Sequence, residues 1–434
     1  MSETLPITLL RNKEVPALSL FFLGLFAVVI SIFFDHTRGL WYSGNFLLLI
    51  ALVLQFKALI SLLRSHLKIT GLLLSFLFFL FLAVLYSPNF STSLDRFLLN
   101  YFFNVVLFFN LWLFWEKFYA KPFWFWLFWG GLFSINAVAN VYFLVLSIFS
   151  CKTNFSCYVF WGLTGIYKSP LHDLVSLFPV YMFFSVLFLT FFLCYQNRAR
   201  WLFLGLSLTN LFFLLWFGRR AALLGLLVGF FVSGLFFSRF KKMAFALLSL
   251  CILIVGAIFL SPYGKSMFIR SDKIEILLSG DYERFKGAGS LGLRLYAWPF
   301  YLEAAWESPF KGTGLSRKVQ KRVLSEVVAK SGLSHAHNLF LNLWLQAGIQ
   351  TALLFLLFHL YLLRFSRTSA QKFYDKPHFF VFAGMFVFLV AFLVASLFEG
   401  LEKLTKFVPF CLRPGYWWDT GGIWKNLFRM GEGK

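Results

Sequence analysis

Charge is what this chain has least of. Only 13% of its 434 residues are Asp, Glu, Lys or Arg, about half the share of an ordinary soluble domain. Acidic groups are the scarcer sign, 18 against 40 Lys and Arg. Cysteine is scarce as well: five residues with no CxxC pair exclude a disulfide scaffold and a CxxC zinc or redox site. The same figures exclude collagen-like, coiled-coil and disordered chains. What is present instead is hydrocarbon. Hydrophobic residues make up 60% of the chain, and Phe alone takes 63 positions. No soluble core of this size hides so many rings, whereas lipid does. Read as soluble, the length suggests about three domains. Read as a membrane protein, it suggests about a dozen spans of roughly 20 residues. The net charge of +22 would point to nucleic acid in a soluble protein. In a membrane protein much of it is topology, so the basic residues have to be located first.

Apolar runs of spanning length lie at Val15–Phe34, Leu40–Leu54, Ile69–Tyr86, Phe97–Trp115, Pro122–Phe149 and His172–Tyr195. Others follow at Trp201–Phe217, Ala221–Phe237, Met243–Leu260, His337–Leu363 and Phe379–Phe398. The stretch Phe407–Trp424, broken by Pro409 and Pro414, is either interfacial or a twelfth span. The expectation is an all-α polytopic membrane protein with 11–12 transmembrane helices, residues 1–434 forming one integral membrane domain. The first run follows Arg11 and Lys13 and has no small-residue cleavage site after it, which reads as an uncleaved span. With the N-terminus cytoplasmic, the inner connections hold 16 basic residues and the short outer ones six, which sets the orientation.

One outer connection, Ser261–His335, is far longer than the rest and carries 12 basic and seven acidic residues. Loops of this length are exempt from the charge rule. Within it, Leu293–Trp306 and Leu315–Lys330 have helical apolar spacing, with Leu315, Val319, Val323 and Val327 on one face. Pro309 and Gly312-Thr313-Gly314 separate them. Two short helices across the outer mouth of the bundle are expected.

Four features carry chemical information. Gly218-Arg219-Arg220 puts two guanidiniums at an outer span boundary, where they either anchor to headgroups or bind a lipid-linked phosphate through paired hydrogen bonds. Arg294 stands at the opening of the first loop helix, after Gly287-Ala288-Gly289-Ser290-Leu291-Gly292. That stretch matches GxGxxG, but with no strand before it the dinucleotide reading is rejected. Taken alone, Arg294 reads equally as a surface salt-bridge partner. Ser334-His335-Ala336-His337-Asn338 starts a span with a histidine able to act as general base, with Asn338 as cap or ring orienter; the plain alternative is a polar helix start. His-x-His also occurs in metal sites, but no Cys or nearby carboxylate completes a ligand set, so no metal is expected. Cys151 and Cys157, in an outer loop, suit a disulfide staple in an oxidising compartment.

These residues bear a family resemblance. His337-Asn338, nine residues, then Gly348-Ile349-Gln350-Thr351 resembles the signature of the bacterial O-antigen ligases: His, then Asn, Ser or Gln, nine residues, then Gly-x-x and Gly, Thr or Tyr. Arg220 before Ala221-Ala222 is similar to the family's Arg at the head of a span. Arg294 with Trp298, Pro309 and Gly312-Thr313-Gly314 is similar to its second Arg block in a large periplasmic loop. Arg219 departs from the pattern by doubling the first Arg. The superfamily also holds the O-antigen polymerases and the bacterial protein O-oligosaccharyltransferases.

The resemblance implies metal-independent, inverting glycan transfer at the periplasmic face of the inner membrane, with no cofactor. The donor would be a glycan on undecaprenyl diphosphate and the acceptor a sugar hydroxyl of lipid A–core. In that chemistry His337 is the candidate base, and Arg220 and Arg294 stabilise the diphosphate leaving group. Arg219, His335 and Asn338 are candidate substrate contacts, and the Phe-rich spans, set in membrane lipid, enclose the polyprenyl chain. Nucleic acid is no longer an expected partner. Outside the enzyme class, a lipid-linked oligosaccharide flippase or transporter is the main rival. It should carry its cations at mid-membrane depth, whereas the span interiors here are almost free of ionisable residues.

Overall fold

The structure is a computed structural model of the chain. It describes residues 7–33, 38–120, 122–151, 178–194, 198, 200–216, 220–242, 245–246, 249, 253, 271–376 and 379–398. A segment this apolar, set in lipid, must satisfy its backbone N–H and C=O groups internally. The described residues do so as helices, with no strand among them. Arg219, Cys157, the Phe407–Trp424 stretch and most of the Met243–Leu260 run lie outside the described residues.

The first half of the chain forms α1 (Ile7–Phe33), α2 (Arg38–Leu54), α3 (Phe56–Ser65), α4 (Leu67–Leu85), α5 (Phe90–Phe97), α6 (Phe103–Ala120) and α7 (Pro122–Cys151). It is followed by α8 (Phe178–Cys194), α9 (Arg200–Trp216) and α10 (Arg220–Phe236). Among the described residues four helical stretches are long and apolar enough to cross a membrane: Leu67–Leu85, Phe90–Phe114, Ile349–Lys372 and Phe379–Phe398. Shorter apolar helices cover Val15–Ser31, Pro179–Cys194, Arg200–Leu214 and Ala221–Phe236. The protein is thus an all-α, multi-pass membrane protein. Its outward faces are apolar, with Leu23, Phe78, Leu202 and Leu235 more than half exposed, as lipid contact requires.

Two spans in the first half of the chain differ in detail from the sequence reading. The connection after Leu54 is helical: α2 and α3 meet at Gln55 and turn by 79°. The fourth span begins earlier than Phe97, because Asn89 caps α5 by accepting a hydrogen bond from Thr92 N at 3.1 Å. It then continues through a π turn at Leu98–Phe102 into α6.

Lipid tails are as apolar as leucine, so helices hold one another by close packing and by buried polar contacts. Both devices are present. Asn136 on α7 and Asn210 on α9 exchange side-chain hydrogen bonds at 3.1 Å, and Ser207 donates to Ser185 O at 2.8 Å. Gly225 and Gly229 bring α10 against the last spanning helix, α17 (Phe379–Phe398, introduced here ahead of its place in the chain). A Cβ at Gly225 would sit 2.3 Å from Ala391 O, and one at Gly229 would sit 2.6 Å from Val387 O. The two contacts also set an antiparallel register. Carried one turn further, it puts the backbone of Arg220, the first residue of α10, level with Ser396 near the end of α17.

The long loop is ordered by its own helices over its described part: α11 (Ser271–Leu278), a 3₁₀ turn at Glu283–Gly287, α12 (Gly289–Glu307), α13 (Arg317–Val323) and α14 (Ser325–Ser331). The first expected helix is present and longer at its N-terminal end, so Arg294 lies in its second turn. The second expected helix is broken at Leu324, whose φ −100° and ψ 37° are not helical. The break takes Val323 out of the apolar face; it is exposed, while Leu315 and Val319 are buried.

The expected span His337–Leu363 is also two helices, α15 (Leu339–Ala347) and α16 (Ile349–Lys372). They part at Gly348, which adopts φ +87°, ψ 162°. That left-handed φ suits glycine, and a Cβ there would sit 2.3 Å from Phe310 O. The loop clamps this joint: Ile349 N donates to Pro309 O at 2.7 Å, and Thr313 N donates to Leu345 O at 2.7 Å. The α15 helix therefore belongs to the loop layer, and α16 is the spanning helix.

Candidate active site

The two histidines sit on the short segment Leu333–Asn338 between α14 and α15. Three side chains fix it from outside. Tyr301 on α12 donates its hydroxyl to Leu333 O at 2.5 Å, and Trp298, one turn earlier, donates Nε1 to Ala336 O at 2.7 Å. Asn338 closes the segment as the N-cap of α15, its Oδ1 accepting from Leu341 N at 3.0 Å. Below the segment Ala297, Tyr301, Ala304, Ala336, Leu341 and Leu345 form a small apolar core. The histidine loop thus stands on a rigid base.

Within it His337 takes φ +50°, the one positive φ of a non-glycine among the described residues. Side chains rarely adopt that region, because Cβ crowds the backbone there, at roughly 1–2 kcal/mol. The turn folds the His337 ring back onto that of His335, with ring centroids 3.8 Å apart at 33°. His335 is buried, and its Nδ1 lies 3.1 Å from Ser334 Oγ. Burial, reinforced by the charges of Arg317 and Arg294 and by His337, pushes the His335 imidazole down to about 2, so its ring is neutral at any working pH. The other ring of the pair, His337, is only partly buried.

Arg294 reaches the site from α12, one turn before Trp298. It is half-buried, and its Nη1 donates to Phe398 O at 2.5 Å. Phe398 ends α17, where unpaired carbonyls favour a cation. Trp298 also faces the Phe398 ring at 6.5 Å. This end of α17 is the level to which Arg220 is brought by the close packing of α10. The structure thus gathers His335, His337, Arg294 and the head of α10 at one end of the bundle, from segments far apart in the chain.

Arg219 lies outside the described residues, and Asn338 is engaged as a helix cap. Among the described residues, no three His, Cys, Asp or Glu side chains cluster into a ligand set. Two contributors escaped the sequence reading. Tyr301 carries no polar pattern to mark it. Arg317, in the basic run of α13, acts on His335 from 18 positions upstream, and no spacing rule links them.

The model of a family described as O-antigen ligase matches residues 202–356, and no curated protein matches the chain. The matched stretch begins in α9 and ends in the first turns of α16, and it contains Arg219, Arg220, Arg294, His335, His337 and Asn338. The likeness is confined to residues 202–356, which are similar to the O-antigen ligase family.

Proposed function

We propose that the protein is an O-antigen ligase working at the periplasmic face of the inner membrane, its N-terminus cytoplasmic. It takes a glycan from undecaprenyl diphosphate and joins it to a sugar hydroxyl of lipid A–core. His337 removes the proton of the acceptor hydroxyl as that oxygen attacks the anomeric carbon. The bond from that carbon to the diphosphate oxygen breaks in the same step, and the sugar inverts. Developing charge on the diphosphate falls on Arg294 and Arg220, with Arg219 beside them, and guanidinium suits phosphate because it pairs two oxygens at once. His335 stays neutral behind His337 and gives that ring a fixed wall. No metal or cofactor is required by this scheme.

The observation that carries the reading is the meeting of Arg294 and the head of α10 at the end of α17, beside the stacked histidines. The test is His337→Ala, produced at wild-type level in a strain lacking its own ligase, with lipopolysaccharide resolved on a gel. Loss of a general base removes about 10²–10⁴ of the rate, so uncapped lipid A–core is expected. Normal capping would remove His337 from the reaction. Loss of the protein from its own strain that leaves a single repeat unit on lipid A–core, in place of none, would identify a polymerase.

A further inference from the structure

Helix α12 has two apolar faces. On one, Ala297, Tyr301, Ala304 and Ala305 are buried in the loop layer. On the other, Leu291, Pro299, Leu302 and Trp306 are exposed and share about a quarter of the helix circumference. Phe310, just past the helix end, adds another exposed ring. Trp306 is 64% exposed and Phe310 71%, and an apolar edge of this kind marks a contact with something outside the fold. Glu303 and Glu307, also exposed, border the stripe on its polar side.

The position of α12 says what the edge meets. Both ends of the helix are tied to ends of spanning helices. Near its start Arg294 donates to Phe398 O, at the end of α17. Just past its end, Pro309 O accepts from Ile349 N, the first residue of α16. Helices α16 and α17 follow one another in the chain and pack together as an antiparallel pair, so Ile349 and Phe398 mark the same surface of the bundle. A helix of 19 residues, about 28 Å long, tied at both ends to that surface, lies along it.

The lipid-facing sides of two spans lead up to the edge. Gln350 Nε2 donates to Phe310 O at 2.7 Å, and Gln350 lies on the same face of α16 as the exposed Leu353 and Leu357. Lys311 Nζ stands 5.6 Å from the centre of the Tyr86 ring, at the end of α4, where Phe78, Phe81 and Leu85 are exposed. Trp306 packs edge-on against Trp344, with centroids 4.9 Å apart, and Trp344 in turn touches both the membrane core and the small core of the loop. The apolar surface of the spans therefore continues without a break onto α12.

We infer that α12 is an interfacial helix and that Leu302, Trp306 and Phe310 are embedded in the bilayer leaflet at this end of the bundle. Helices of this kind bury their apolar face about 5–10 Å into the boundary between headgroups and acyl chains, and Trp is favoured at that level. Trp298 and Tyr301 hold the histidine segment from the same helix, so the bilayer surface sets the height at which His335 and His337 stand. Lipid contact here is independent of which reaction the site performs.

The test uses the wild-type, full-length protein in nanodiscs of phosphatidylcholine with a diazirine on its acyl chains. After illumination and digestion, lipid adducts are expected on Trp306 and Phe310, as on Leu353 and Leu357, and none on Lys318 or Lys321, which are exposed on α13. In a second measurement Trp306→Cys and Phe310→Cys meet a water-soluble maleimide in unmodified nanodiscs, and labelling is read peptide by peptide against Lys321→Cys. Burial of one large ring favours lipid over water by about tenfold or more. The ring left in each variant keeps the cysteine at depth, so both should react at least about tenfold more slowly than Lys321→Cys. The wild-type adducts need no variant to fold. Absence of adducts at either Trp306 or Phe310 overturns the inference: fast maleimide reaction would then make the edge water-facing, and slow reaction would make it a contact with protein, such as a second copy. Adducts accompanied by maleimide reaction as fast as that of Lys321→Cys would also overturn it, because the edge would then touch lipid without being embedded.

Discussion

The glycines of α10 link the fold to the chemistry, and Gly225→Ala/Gly229→Ala tests that link. Each new methyl group would lie against backbone, 2.3 Å from Ala391 O and 2.6 Å from Val387 O, where ordinary contact begins at 3.4 Å. The nearest atom at each contact is a backbone carbonyl that cannot swing aside, so α10 and α17 must part by about 1 Å, a misfit of the kind that costs about 1–3 kcal/mol per site. The displacement travels to the head of α10, because Arg220 lies little more than one turn above Gly225 on a continuous helix. Misplacing a catalytic group by about 1 Å can slow a reaction about 10²-fold. The double variant is therefore expected to insert normally, to melt at lower temperature in detergent, and to cap lipid A–core about a hundredfold more slowly. The control is Gly205→Ala on α9, where an added Cβ meets nothing within 4 Å. A double variant that matches Gly205→Ala in both melting and capping would refute the argument that close packing at α17 positions Arg220.

Three further outcomes are expected. His335 is neutral in the fold down to about pH 2, whereas an unfolded histidine protonates near 6.5, so below about pH 6.5 the unfolded chain binds the extra proton and stability falls, by about 2 kcal/mol at pH 5. His335→Gln should flatten this acid slope in melting curves from pH 7 to 5, and parallel slopes would show that the ring is not held neutral. Trp298→Phe keeps the ring packing but leaves the buried Ala336 carbonyl without its donor, a loss of about 1–3 kcal/mol. It should lower kcat by loosening the histidine segment while the spans stay folded by circular dichroism, and an unaltered kcat would count against Trp298 as its support. Asn338→Ala should cost about 1 kcal/mol as a lost helix cap, and Asn338→Asp or Asn338→Ser should restore both melting and activity; failure of both to restore activity would mean that the amide contacts substrate.

The spans were legible because lipid imposes one rule on every residue in them, and unbroken runs of Phe and Leu obey it visibly. Their joints were not. Nothing in Leu345-Gln346-Ala347-Gly348-Ile349 stands out against apolar neighbours, yet Gly348 ends a helix there because the loop backbone at Phe310 presses on it. That pressure comes from a segment nearly forty residues away, beyond the reach of periodicity. The break at Leu324 has the same character: an apolar face continued past the point where the helix holding it stopped. Candidate residues were legible one by one, as cations or histidines in unusual surroundings. Their meeting was not, since it depends on the glycine contacts of α10 and on how α12 crosses the end of α17.

The histidine pair shows how much one backbone angle decides. In an extended chain, His335 and His337 point the same way from positions about 6.6–6.8 Å apart, and as a motif they are interchangeable. The left-handed turn at His337 brings the rings to 3.8 Å and divides their roles. One ring goes under, loses water, and is held neutral by burial and by Arg317 and Arg294. The other is only partly buried and has a neutral ring at its back. Two rings this close cannot both carry charge without strong repulsion, so a buried partner that stays neutral leaves the proposed base with no charged ring behind it. In the proposed reaction the strained φ is then part of the chemistry. A variant that relaxes it, His337→Gly with imidazole added to the medium, is expected to recover little activity, because the free base has no turn to hold it against His335.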